Sequence, residues 1–253
     1  MAMDLQKRNV LKLLAGGAAS SSMLGASSVG AARPDAVLYE NPLASAADVE
    51  GFVLEGSAHV TFLDGWMAMK AARPPEDGQD ANFVLWCPEV FPADIEISWQ
   101  FRPLELPGLC ILFFAATGLD DGRPISLFDP RLAKRAGRYE HYTSSDVSYL
   151  SLSYFRRMWD EERRFQVVNL RSAPGFELLA QRADPIPSQD GIGNVYKLRV
   201  RRQGGRVTMF IEDLPVLDWT APDGARLPQA GHIGFRQMAP LKAEYSKLSV
   251  VAI

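Results

Sequence analysis

The sequence predicts an all-β chain built as two packed antiparallel sheets. Three observations carry this: apolar and polar residues alternate with period two, turn residues separate the alternating stretches, and helical periodicity is weak. Asp94-Ile-Glu-Ile-Ser-Trp-Gln-Phe101 alternates without a break. Ile95, Ile97, Trp99 and Phe101 should face one way, and Asp94, Glu96, Ser98 and Gln100 the other. Cys110-Ile-Leu-Phe-Phe-Ala115 is short and continuously apolar, as a central sandwich strand would be. Tyr196–Arg202 alternates again. Gln203-Gly204-Gly205 then gives a turn, and Val207, Met209 and Ile211 line the returning strand, so the two runs form a hairpin. Glu212-Asp213-Leu214-Pro215 reads as a further turn before Val216–Trp219, and Leu248, Val250 and Ala252 mark a last strand. Short helical turns are expected near Asp129–Ala136 and over Trp159–Arg164. Two stretches read as loops: Arg73–Asp80, rich in breakers, and the long polar run Gly118–Ser148, with the character of a binding loop or lid.

Composition sets bounds. The chain has 253 residues, 47% apolar and 23% charged, which suits one large globular domain and not a disordered, collagenous or coiled-coil chain. No apolar run reaches the roughly 18 residues of a spanning helix. With 27 Lys+Arg against 30 Asp+Glu and a net charge of −3, the basic field that nucleic acid requires is missing. Two cysteines make neither a disulfide scaffold nor a four-thiolate zinc site.

Residues 1–32 read as an export signal removed from a mature domain over 33–253. Lys7-Arg8 precedes a weakly apolar Gly/Ala/Ser stretch ending at Ala31-Ala32. Lys7-Arg8-Asn9-Val10-Leu11-Lys12 resembles a twin-arginine signal with lysine in the first arginine place, which points to the periplasm or beyond. The alternative is an amphipathic or disordered N-terminus of a cytoplasmic protein. Export would permit a Cys87–Cys110 disulfide, and the apolar runs around both cysteines equally permit two buried thiols.

Several motifs recur in a fixed order: Asn82-Phe-Val-Leu-Trp-Cys-Pro-Glu89, Pro107–Cys110, Ser153-Tyr-Phe-Arg-Arg157, Asn169-Leu-Arg171, Ala180–Pro185 and Gly234-Phe-Arg-Gln-Met-Ala-Pro-Leu241. Over about residues 37–253 they resemble the bacterial YesU-like family, a domain of unknown function. The C-terminal Gly231–Met238 and Ala243–Val250 look like the closing strands of a concanavalin A-like jelly roll. The resemblance implies the lectin/glucanase fold and a setting in rhamnogalacturonan (pectin) breakdown, without supplying a reaction. The sequence departs from the family pattern at His59, His141 and His232, so a chemistry shared by the family does not rest on them.

Candidate chemistry follows from side chains sharing strand faces. Asp94 and Glu96 lie on one face at a spacing that suits a carboxylate pair, but the third acid of a glucanase strand is replaced by Ser98; the alternative is a solvated outer face. Asn169 and Arg171 share a face, as do Tyr149, Ser151 and Ser153. Arginine and tyrosine together suit eliminative cleavage of uronates: arginine neutralises the carboxylate and tyrosine handles the proton. On this reading Tyr154, Arg171, Arg236 and His141 are the catalytic candidates. Asn169, Tyr149, Arg156, Gln237, Tyr142 and Trp159 are the sugar contacts. The competing reading is structural: buried ion pairs such as Arg156 or Arg157 with Glu161 or Glu162, core tryptophans, and an inert loop His141.

Metal motifs are weak; Asp120-Asp121-Gly122 or Asp129 could hold a structural Ca²⁺, or simply form turns. The expectation is a lyase ahead of a hydrolase acting on acidic plant-type oligosaccharides. A non-catalytic sugar-binding protein using the same groove comes second, and a protein-interaction sandwich third. The oligomeric state is not legible.

Overall fold

The structure, a computed structural model, describes residues 36–144, 146–187 and 190–253. The expected leader lies outside the described residues. In chain order the first strands are β1 (Val37–Asn41), β2 (Val53–Gly56), β3 (Ala58–Leu63), β4 (Trp66–Ala71), β5 (Phe83–Trp86) and β6 (Ile95–Glu105). Next come β7 (Cys110–Asp120), β8 (Arg123–Ile125), β9 (Val147–Tyr154), β10 (Val167–Ala173) and β11 (Glu177–Ala183). The last are β12 (Tyr196–Gln203), β13 (Arg206–Ile211), β14 (Leu214–Thr220), β15 (His232–Gln237) and β16 (Lys242–Ala252). Two short helices, α1 (Glu140–Thr143) and α2 (Asp160–Arg164), lie in loops.

The strands form two eight-stranded antiparallel sheets. One runs β14-β13-β12-β6-β16-β4-β3, with β1 also on β16; the other runs β11-β10-β9-β7-β15-β5-β2, with β8 also on β7. Hairpin pairs lie at the sheet edges, while the central pairings β12–β6, β6–β16, β16–β4, β7–β15 and β15–β5 join strands far apart in sequence, the jelly-roll pattern of strands passing between two layers. The alternation of β6 sends Ile95, Ile97, Trp99 and Phe101 into the space between the sheets, where all four are buried. They meet Leu112, Leu150, Leu152, Val168 and Phe235 of the second sheet in one apolar cluster. The hairpin predicted around Gly204 joins β12 to β13, with Gly204 at a φ of +55°.

The first sheet turns its other face outward. There Asp94 accepts from the Gly204 N–H and Glu96 lies 3.6 Å from Arg199, so both acids serve the β6–β12 surface rather than a catalytic pair. The expected turn at Asp129–Ala136 is not helical. The Asp129 carboxylate takes the Arg131 backbone N–H at 2.9 Å, a local bond that competes with helix formation, and Pro130 has no N–H to give. The helical turn of that loop falls later, at α1. The one expected over Trp159–Arg164 is α2. Asp120 and Asp129 both pair with Arg131, and among the described residues no group of three His, Cys, Asp or Glu side chains is placed to hold a metal. Among those residues no helix is long and apolar enough to cross a membrane.

Cys87 and Cys110 are both buried free thiols. Burial pushes their pKa values up to about 11 and about 12. Neither is a thiolate at pH 8, so thiol reagents should label neither in the native protein and both in denaturant, read by mass spectrometry. Labelling of either in the native state would contradict the burial.

Candidate functional site

The second sheet is covered on both faces. Its outer face is built in two cross-strand rows, because antiparallel partners project the same way. The first row is Glu55, Val84, Arg236, Ile111, Ser153, Asn169 and Gln181. The second is Val53, Trp86, Gly234, Phe113, Ser151, Arg171 and Leu178. Gly234 is required here: a Cβ would stand 2.3 Å from the Trp86 ring that lies across it.

The segment 126–144 folds over the β2–β5–β15 half of this face as a lid. Its anchor is Arg135, which ion-pairs with Glu55 at 2.8 Å; the two side chains are 4% and 9% exposed. Glu55 also accepts from the Trp86 indole N–H at 2.9 Å. Tyr142 packs on Trp86 and on Phe113, at ring separations of 6.4 and 5.7 Å. Gly137 presses against the chain at Asn82, where any Cβ would fall 1.8 Å from a carbonyl oxygen, and its φ is +84°. Gln79 ties the lid down by accepting from the Tyr139 backbone N–H at 3.2 Å.

At the lid's edge a cavity of about 250 Å³ remains open over β7, β9 and β10. Ile111 and Leu109 contribute apolar surface, as does Met238. The polar and aromatic lining is Gln79, Arg156, Arg171, Tyr139, Phe176 and Trp159. Arg171 stacks over the Phe176 ring at 4.0 Å and donates to the Phe176 carbonyl at 3.1 Å. Phe176 takes φ +55°, an uncommon conformation for an aromatic residue that these contacts stabilise. Tyr139 meets the edge of Phe176 at 4.9 Å. Trp159 is 47% exposed at the mouth.

The cavity is electropositive. Arg156 donates to the Ser153 hydroxyl and is paired with Glu162. Among the described residues no carboxylate pairs with Arg171. Arg236 is fully buried beneath the lid, donating to the Gly137 carbonyl and stacked 4.9 Å from the Tyr139 ring, also with no carboxylate partner among the described residues. Burial pushes the Tyr139 phenol up, while Arg236, Arg171 and Arg156 pull it the other way; the net direction is up, so the phenol stays protonated near neutral pH. The lining therefore offers two guanidiniums, a phenolic donor and flat aromatic surface, the chemistry of a site for an anionic, ring-shaped polar ligand.

Known proteins place the chain in a family. The profile described as "Domain of unknown function (DUF1961)" matches residues 36–250. The chain belongs to the DUF1961 family. It is 44% identical over 217 residues to the uncharacterized protein YesU of Bacillus subtilis (strain 168), covering 85% of this chain and 95% of that one. A solved structure of a Bacillus subtilis protein of unknown function with a galectin-like fold superposes with a TM-score of 0.80 at 43% identity, covering 87% of this chain and 97% of that one. More distantly, the κ-carrageenase of Pseudoalteromonas carrageenovora, solved with a κ-carrageenan oligotetrasaccharide, has a TM-score of 0.54 at 9% identity over 92% of this chain and 99% of its own, a likeness of fold. The lectin/glucanase sandwich that the sequence motifs implied is thus the fold of this DUF1961 chain.

Of the residues expected at the site, Arg171, Arg156 and Trp159 meet at the cavity. Asn169 and Tyr149 share the outer face but are buried, Asn169 accepting from Gln181 at 2.8 Å. Arg236 lies under the lid and Tyr142 is the lid's own buried ring, neither of them in a groove, and His141 caps the lid's turn by accepting the Ala136 N–H at 3.1 Å. Tyr154 requires correction. It projects from the opposite face of β9 with Leu150 and Leu152, is 0% exposed, and packs between Trp99 and Phe101, so no substrate reaches it. Gln237 faces the same interior, its amide donating to the Met69 and Leu241 carbonyls. Tyr139 and Phe176 were missed as site residues. Their signal in the sequence was an aromatic just after a glycine, Phe176 directly after Gly175 and Tyr139 two residues after Gly137.

A larger cavity of about 620 Å³ opens at the far end of β7, lined by Leu119, Ile125, Leu127, Leu227, Pro228 and other residues. Arg226 is its one formally charged lining residue. Its lining mixes these with Thr117, Ser126, Ser148, Gln229 and His232, and it carries one guanidinium where the smaller cavity has two.

Proposed function

We propose that the cavity recognises an acidic sugar of the uronate type, as found in pectin-like plant polysaccharides, and that the protein works outside the cytoplasm. The observation that carries this is Arg171: a guanidinium held flat against Phe176, facing a cavity, with no carboxylate of its own among the described residues. A uronate carboxylate would complete that charge, its pyranose ring lying against Trp159 or Phe176. The oligosaccharide held by the κ-carrageenase neighbour, on the same sandwich, agrees with a sugar ligand. Hydrolysis by paired carboxylates gains no support, because no carboxylate is among the residues lining the cavity and Glu162 is engaged with Arg156.

Elimination is the second reading, and Tyr139 favours it. Arg171 would neutralise the carboxylate and so acidify the C5 proton. Passage of that proton to a water at the open mouth forms the C4–C5 double bond as the C4–O4 bond breaks, and the phenol of Tyr139 would protonate the departing oxygen and regain its own proton from solvent.

Calorimetry with oligogalacturonides and their neutral galactose counterparts tests the first reading. Binding of the acidic series should be at least about tenfold tighter, since a hydrogen bond to a charged group contributes about 1.5–3 kcal/mol. Equal affinity for the neutral series would overturn it. Ultraviolet absorbance of the new double bond, followed in the same samples beside reducing ends, separates elimination from binding alone.

A further inference from the structure

Resting on the acidic-sugar reading, we propose that this site takes a chain end: it holds one terminal uronate unit and cannot thread the middle of a polymer. The open sandwich sheet that would cradle a running chain is bridged here. Tyr139 of the lid touches Phe176 of the β10–β11 turn, 4.9 Å between ring centres, so the lid and that turn meet over the outer face. Beyond the bridge the face is sealed, with Phe113, Tyr149 and Ser151 all buried.

Towards β5 the way is closed as well. The lid sits on Val84, Trp86 and Arg236, all buried, and its Arg135–Glu55 anchor is itself inaccessible. A third cavity, lined by Ser148, Pro174, Glu177 and Trp219 among others, lies past the β10–β11 turn and shares no lining residue with the site. At about 250 Å³ the site is small beside the cavity of about 620 Å³ at the far end of β7 and lies below the usual range of ligand pockets, which suits a single ring and not a chain of them. Its exposed rim is at Trp159, so further sugar units would leave outward past that indole.

The test is a length series of oligogalacturonides, from the dimer to the polymer, titrated calorimetrically into the intact protein. The proposal predicts one protein bound per chain end at every length, with an affinity per chain that stays within about twofold from the trimer upward. Stoichiometry rising in proportion to length would overturn chain-end recognition while leaving the acidic-sugar reading standing. Failure of every member of the series to bind would overturn both.

Discussion

Glu55→Ala should lower the melting temperature by about 6–20 °C, from a loss of about 3–5 kcal/mol. Glu55 is one carboxylate doing two tasks under the lid: it neutralises Arg135 and accepts the Trp86 indole N–H. Without it, a guanidinium that is 4% exposed is left in the interior with no counter-charge. An uncompensated buried ion costs more than the ion pair itself contributes, because the desolvation penalty stays while the attraction goes. The loss should be local as well as global. Amide hydrogens of the lid, residues 126–144, should exchange faster in the variant relative to those of β6 and β12. Glu55→Gln keeps an acceptor for Trp86 and discards the charge, so it should fall between the two. A melting temperature within about 2 °C of the parent would show that this pair does not latch the lid.

Arg171→Ala should weaken binding of acidic oligosaccharides by roughly tenfold to a hundredfold, the contribution of a charge-assisted hydrogen bond. Stability should hardly change, because Arg171 is partly exposed and its native partners are one carbonyl and one ring face. The split matters: a residue present for packing would cost stability and leave affinity alone. Arg171→Lys adds a second test. An ammonium keeps the charge but neither stacks on Phe176 nor presents a planar fork, so it should recover only part of the affinity. Unchanged binding in Arg171→Ala would remove the residue from the site.

How much of this was legible in the sequence depends on how far apart the partners lie. Period-two alternation is a local property, and it placed Ile95, Ile97, Trp99 and Phe101 in the core correctly. It also put Asn169 with Arg171, and Tyr149 with Ser151 and Ser153, on common faces, as the register confirms. Tyr154 went astray against that same rule. It has the parity of Leu150 and Leu152, so the pattern already assigned it to the interior. Arg236 and Gln237 show the same lesson, since adjacent strand residues cannot share one face. The lid was legible only as a polar loop. Its anchor joins residues 80 positions apart, and nothing in local spacing pairs Arg135 with Glu55. The expected open trough therefore became a capped cavity, and its phenol came from the lid, as Tyr139, rather than from a strand.

A crystal structure of the protein soaked with digalacturonate tests the whole account most directly. The account predicts one sugar ring in the cavity under Tyr139, its carboxylate within hydrogen-bond distance of Arg171, and the second ring directed out past Trp159. Density for the sugar in the larger cavity beside Arg226, or along the outer face of β6 near Asp94 and Glu96, with the Arg171 cavity left unfilled, would contradict it.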